Sequence, residues 1–140
     1  ADQGADVVKV EPAVGDLMRH LGSTRNGMSG LFAGCNRGKR SVVLDLKQEG
    51  GRALLGRLLA DADVVVQNFR PGAMERLGFG YADVRSVNPQ VVYVSISGFG
   101  ETGPYSGTRV YDNVVQGYSG ITSVQADPTT GEPVTSASTP

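Results

Sequence analysis

One segment gathers residues able to hold a phosphorylated ligand: Gln67-Asn68-Phe69-Arg70-Pro71-Gly72-Ala73-Met74-Glu75-Arg76-Leu77-Gly78. Asn68 can hydrogen-bond a purine or a ribose, and Phe69 offers a stacking face. Arg70 and Arg76 can pair with phosphates in bidentate geometry. The segment runs from an apolar triplet into a proline-led helix start, where free backbone N–H groups favour anions. The same residues also fit a bland arrangement, with Phe69 in the core and both arginines solvated.

A second segment, Asn36-Arg37-Gly38-Lys39-Arg40 followed by Ser41-Val42-Val43-Leu44-Asp45-Leu46-Lys47, brackets a β-branched run with charge. Lys47 stands just past the end of that run, where it could reach a ligand or simply face water. A third segment, Ser97-Gly98-Phe99-Gly100-Glu101-Thr102-Gly103-Pro104-Tyr105, carries glycines that permit close backbone approach to a ligand. It has neither the Gly-Lys-Ser/Thr ending of a phosphate-binding P-loop nor the glycine spacing of a dinucleotide fingerprint.

Other chemistries find little support. His20 is the only histidine and Cys35 the only cysteine, so no Cys/His metal-ligand spacing exists. A serine triad would have to use His20 without a nucleophile elbow. Cys35 would serve as a nucleophile only if Arg37 and Lys39, its neighbours in sequence, lowered its pKa. Thirteen basic against fourteen acidic residues leave a formal charge of −1, which provides no field for nucleic acid or an anionic membrane. No apolar run approaches the roughly 20 residues of a membrane helix. With a single cysteine and no signal core, the cytoplasm is the expected compartment.

The elements that must position these residues follow from periodicity. Ala5 to Glu11 and Ser41 to Leu46 read as strands, and so do Val64 to Val66 and Val91 to Ser97. Glu49 to Ala60 reads as a helix with Leu54, Leu55, Leu58 and Leu59 on one face. Shorter helices are expected over Gly72 to Leu77, Tyr81 to Val87 and Tyr111 to Gly117. Asp16 to Gly34 reads as a long loop with one short helix, and Asp127 to Gly131 as a surface turn. Thr135 to Pro140 has no pattern. Ala1 to Gly4 reads as the last turn of a helix, and both chain ends read as cut. Short apolar strands alternating with helices predict an α/β fold: a parallel sheet with flanking helices and ligands at the strand ends. Twenty glycines spread between apolar runs indicate many tight turns in an ordered chain.

Four segments, in order, resemble family III coenzyme A transferases (the CaiB/BaiF group). They are Gly4 to Pro12 with Gly15-Asp16, Asn36 to Lys47, Asn68 to Gly78, and Asn88-Pro89 to Tyr105. The resemblance covers nearly the whole chain and implies a Rossmann-like partial domain, residues 1–140, truncated at both ends. It implies coenzyme A as a substrate, with no permanently bound cofactor, at Leu44, Lys47, Asn68, Phe69, Arg76, Leu77 and Arg109. It departs at Pro12, which stands where the family places a CoA-contacting arginine. The implied reaction moves CoA between an acyl-CoA and a carboxylic acid through an aspartyl anhydride. The nucleophilic aspartate is expected just after Pro140, so no catalytic residue is nominated in this chain, and Asp127 falls short of the expected place. The implied partner is a second copy, since the family forms interlocked dimers. Two alternatives stand beside this reading. One is an α-methylacyl-CoA racemase-like enzyme, which would need a histidine where this chain has Tyr111, followed by Asp112. The other is a non-catalytic CoA-binding or interaction module.

Overall fold

The structure, a computed structural model, describes residues 1–135 of the 140. The described chain divides into two compact units, Ala1–Ala62 and the residues from Asp63 on. In the first unit, β1 (Val8–Glu11) leads into a 3₁₀ turn (Leu17–His20). A hairpin of β2 (Thr24–Arg25) and β3 (Met28–Ser29) follows, then α1 (Gly30–Cys35), β4 (Arg40–Val43) and α2 (Glu49–Ala60). β1 and β4 pair in parallel, with Val8 opposite Arg40 and Glu11 opposite Val43. The second unit contains β5 (Val64–Gln67), α3 (Ala73–Arg76), α4 (Tyr81–Val87), β6 (Val92–Ser95), α5 (Asp112–Ser119) and α6 (Ile121–Val124). β5 and β6 pair in parallel, with Val64 opposite Val92 and Gln67 opposite Ser95.

The α/β expectation therefore holds, with the strands hydrogen-bonded two by two. The long helix and the Tyr81–Val87 helix keep their expected bounds; β1 and β6 are shorter than expected by one to three residues at an end, β4 begins one residue earlier and ends three earlier, and β5 extends one residue further, to Gln67. Ala1 to Gly4 form a turn closed by one bond from the Gly4 amide to the Ala1 carbonyl (2.9 Å). Two readings change. Within the expected loop Asp16 to Gly34, Asn26 and Gly27 both take positive φ (53° and 74°). Two such residues in succession match the twist of a tight hairpin and fold the β2–β3 pair that periodicity could not show. On α2, Leu55 and Leu59 are buried but Leu54 and Leu58 are largely exposed. An i, i+4 pair faces the core, and the residue before each lies about 100° around the helix. The tail expected from Thr135 lies, from Ser136 onward, outside the described residues.

The first unit is organised around a carboxylate. Glu11 is only 2 % exposed, at the end of β1. Its side chain accepts Arg19 Nε (2.9 Å) and Nη2 (2.8 Å), Ser41 Oγ (2.8 Å) and the Asp16 amide (3.0 Å). Its carbonyl accepts the Leu44 amide (3.0 Å), which extends the ladder past the end of β4. The Arg19 guanidinium lies 3.9 Å from the centre of the buried Phe32 ring. Lys9 pairs with Asp16 and donates to Asn36 Oδ1 (3.2 Å), with Phe32 also beneath it. Ser29 caps α1 by accepting the Phe32 amide (3.0 Å) and donates to the Met18 carbonyl. One buried cluster thus ties β1, the 3₁₀ turn, α1 and β4 together.

The Arg19 hydrogen bonds, strengthened by Ser41 and the Asp16 amide and opposed by burial, hold Glu11 at about 2, against an ordinary value of 4.5. Burial acts to raise the Asp16 carboxyl, but the Lys9 pair and the Met18 amide keep it below its usual value. A depressed folded pKa means that the unfolded chain takes up the proton first. The stabilisation is therefore full above about pH 4.5 and is lost as pH falls toward 2. For Glu11 it is on the order of 3 kcal/mol. Denaturant titrations of the native chain and Glu11→Gln should differ by that order at pH 7 and converge as the acid limit is approached. A difference equally large at both ends would remove Glu11 from this role.

Candidate functional site

In the first unit, Leu44 and Lys47 lie on the turn that leaves β4 and enters α2. Leu44 is buried and anchors the turn from below. The Asp45 carboxylate accepts the Lys47 amide (2.9 Å), and its carbonyl accepts the Gln48 amide (3.1 Å). Arg52, one turn into α2, donates to the carbonyls of Leu46 (3.2 Å) and Lys47 (3.0 Å). Gly51 lets α2 approach this turn closely: a Cβ there would lie 2.1 Å from the Asp45 carbonyl oxygen. The turn is thereby fixed from behind, and the Lys47 ammonium is exposed with no hydrogen bond or ion pair among the described residues.

In the second unit, Asn68, Phe69, Arg76 and Leu77 lie on one continuous segment from the end of β5 through α3. Asn68 is exposed and Phe69 is 51 % exposed, so Phe69 is not a core residue. The Phe69 amide donates to Gln67 Oε1 (2.7 Å), and Gln67 Nε2 donates to Ser95 Oγ on β6 (3.0 Å). Arg70 and Arg76 are exposed and have no side-chain partner among the described residues. Leu77 closes α3 by donating its amide to the Ala73 and Met74 carbonyls (3.2 and 3.1 Å). The helix-start contribution to anion binding is weaker than the sequence suggested. α3 has four residues, too few for a substantial macrodipole, and the Ala73 amide is taken by the Arg70 carbonyl (3.0 Å).

Arg109 comes from a separate loop of the same unit and is likewise exposed and unpaired. The glycine-rich segment before it is packed against protein. A Cβ on Gly98 would fall 1.8 Å from Val110 Cγ2, so the close approach that Gly98 allows is made by Val110. Phe99, Tyr105 and Tyr118 form a three-ring cluster with centroid separations of 5.2 to 6.1 Å, joining this loop to α5. Such edge and tilted contacts add modestly to area burial.

The state of the cations separates the candidate ligand contacts from the rest of the basic cluster. Arg37 and Arg40 pair with Asp2 and Asp6, and Lys39 donates to Asn36, so these three are committed to protein. Lys47, Arg70, Arg76 and Arg109 are uncommitted. Arg25 and Arg57 are also without side-chain partners among the described residues, so freedom alone does not mark a ligand contact. The Asp127 carboxylate accepts the amides of Thr129 (2.7 Å) and Thr130 (2.9 Å), which hold it below the usual range and commit it to its turn. Tyr111 is largely exposed, and Asp112 accepts from Gln116 on the next turn of α5. Cys35 is exposed. His20 ends the 3₁₀ turn. Among the described residues no cluster of acidic, histidine or cysteine side chains could hold a metal, and no helix is long and apolar enough to cross a membrane. The sequence reading gave no role to Gln67, which opens the first segment, and none to Arg52; neither carries a ligand-like signature, and both act by holding the turns beside them.

The two close approaches are testable. Gly51→Ala gains helix propensity of about 1 kcal/mol but drives a methyl into a backbone carbonyl, at a cost of roughly 1–3 kcal/mol or more. A net loss of stability is expected in thermal or denaturant unfolding. Gly98→Ala is expected to destabilise the chain for the analogous reason, by displacing Val110. Full native stability in either variant would mean that the packing described there is not needed.

Residues 1–139 match the family described as CoA-transferase family III. The chain is 47 % identical over 121 residues to the acetyl-CoA:oxalate CoA-transferase of Acetobacter aceti, covering 86 % of this chain and 31 % of that protein. It is 44 % identical over 142 residues to the succinate–glutarate CoA-transferase of Agrobacterium fabrum, covering 96 % and 35 %. The crystal structure of a CaiB/BaiF family protein from Brucella suis superposes with a TM-score of 0.90 at 42 % identity, over 97 % of this chain and 37 % of that one. The chain thus spans about a third of the length of these relatives.

Proposed function

Because the chain belongs to CoA-transferase family III, we propose that residues 1–140 are a partial CoA-binding domain of an enzyme that moves coenzyme A between an acyl-CoA and a carboxylic acid. The match of residues 1–139 to that family is the observation that carries this reading. Two features of the geometry support it: the turns after β4 and β5 are held from behind by protein, and uncommitted cations stand on them.

In this reading Lys47, beside Leu44, is a CoA contact of the first unit. In the second unit Arg76 and Arg109 meet phosphate, Phe69 stacks on the adenine, Asn68 hydrogen-bonds the base or ribose, and Leu77 adds an apolar contact. The nucleophile is an aspartate beyond Pro140. Its carboxylate oxygen attacks the thioester carbonyl, forming a mixed anhydride as the C–S bond breaks and CoA leaves as a thiolate. The thiolate then adds back, so it must stay bound between steps, and a site that grips the nucleotide end supplies that retention. The relatives named above act on small dicarboxylates by name. Oxalate, succinate and glutarate are therefore the first acceptors to test in the full-length enzyme, which is expected to work as a dimer.

Calorimetric titration of the chain with CoA should give saturable binding. Arg76→Ala should weaken it by roughly 1–3 kcal/mol, as loss of a charge-assisted contact does. Unchanged affinity would exclude Arg76 from the site, and no binding by the folded native chain would overturn the reading for this chain alone. The 140 residues by themselves should show no transferase turnover; measurable turnover would mean that a group inside the chain is the nucleophile.

A further inference from the structure

Gln67 is a polar residue on the inner face of a strand otherwise made of valines, 8 % exposed and two residues along from the buried Val65. An apolar residue there would avoid the cost of desolvating an amide, which is tolerated only when both ends of the amide are satisfied. Here both are. Oε1 accepts the Phe69 amide (2.7 Å) and Nε2 donates to Ser95 Oγ (3.0 Å), directly opposite on β6. The backbone ladder continues one residue further, where the Ile96 amide donates to the Gln67 carbonyl (2.9 Å). Gln67 is therefore the last point at which the turn is tied to the sheet, and its side chain spans the turn itself. With the Phe69 amide held, the backbone torsions of Asn68 and Phe69 are restricted and the Phe69 ring is presented outward.

We propose that Gln67 is a positioning residue for the nucleotide: it fixes the Asn68–Phe69 turn so that the Phe69 ring is set in place before an adenine arrives. The inference rests on Phe69 being a CoA contact and goes beyond that reading by assigning the stacking geometry to a buried side chain that does not itself touch the ligand. Pre-setting the ring lowers the ordering cost of binding. The effect should therefore appear with any ligand that carries the adenosine and should pass through Phe69.

Two variants separate the roles of the amide. Gln67→Met keeps the length of the side chain but removes both hydrogen bonds. Gln67→Glu keeps the acceptor for the Phe69 amide, and the Ser95 hydroxyl can turn to donate to the carboxylate. The probes are CoA and adenosine 3′,5′-bisphosphate, titrated against the native chain, both variants, Phe69→Ala and the Gln67→Met/Phe69→Ala pair. Gln67→Met is expected to weaken both probes about tenfold in a protein that stays folded. Gln67→Glu should stay within about threefold of native, and Gln67→Met should add nothing once Phe69 is alanine. Native affinity in folded Gln67→Met, or an equal loss with and without the Phe69 ring, would overturn the proposal, because a purely structural role does not depend on Phe69. Hydrogen exchange at the Phe69 amide tests the clamp without ligand: slow in the native chain and faster in Gln67→Met is expected, and unchanged exchange would overturn it. If the native chain binds neither probe while that exchange difference is present, the failure belongs to the CoA reading and not to the clamp.

Discussion

The buried carboxylate of Glu11 is the group on which the first unit depends. It sits at the junction of a strand end, a loop and a neighbouring strand, and it bonds to all three. A charge so placed is costly to desolvate, and the bidentate Arg19 pair and two further donors supply the compensation. The consequence is geometric. The loop after β1 is folded back onto Phe32 by Arg19, and the Glu11 carbonyl places Leu44 at the start of the turn that carries Lys47. A candidate ligand contact on the turn after β4 is thus positioned by the last residue of β1, more than thirty positions earlier in the chain.

The same design recurs in the second unit with neutral groups. Gln67 and Ser95 bridge β5 to β6 and tie down the turn that presents Asn68 and Phe69. In both units polar side chains behind a strand-end turn satisfy its backbone, and the outward-facing residues are left without protein partners. This division suits a polyphosphate site. A cation already bonded to a carboxylate must be released before it can bind phosphate, whereas Lys47 and Arg76 carry no such cost. Arg37 and Arg40, which look equally basic in sequence, pair with Asp2 and Asp6 in exposed contacts worth at most about 1 kcal/mol each.

Burial along the strands alternates. Val65 and Gln67 face inward while Val64 and Val66 are exposed, and Val92 and Val94 are exposed opposite them. A continuous apolar run such as Val64-Val65-Val66 reads as a strand covered on both faces, as parallel sheets usually are. Among the described residues only one face of the β5–β6 pair is covered. Composition of the run gives the apolar character of both faces but not which neighbours occupy them.

What the sequence determined by itself was local. The period of α2, the bounds of α4, the four strands and the order of the signature segments follow from spacing and side-chain type, and with them the α/β class and the family. The Asn26-Gly27 hairpin was legible in principle, because its turn chemistry is local too. Tertiary structure alone decided which of the basic residues remain free, because ion pairs such as Arg40 with Asp6 join positions far apart in the chain. It also decided that Gly51 and Gly98 are sites of contact with Asp45 and Val110, and that Glu11 and Gln67 act as clamps. A clamp has no sequence signature of its own: it is a hydrogen bond between groups that meet only after the strands have paired, and its strength comes from the burial that pairing creates.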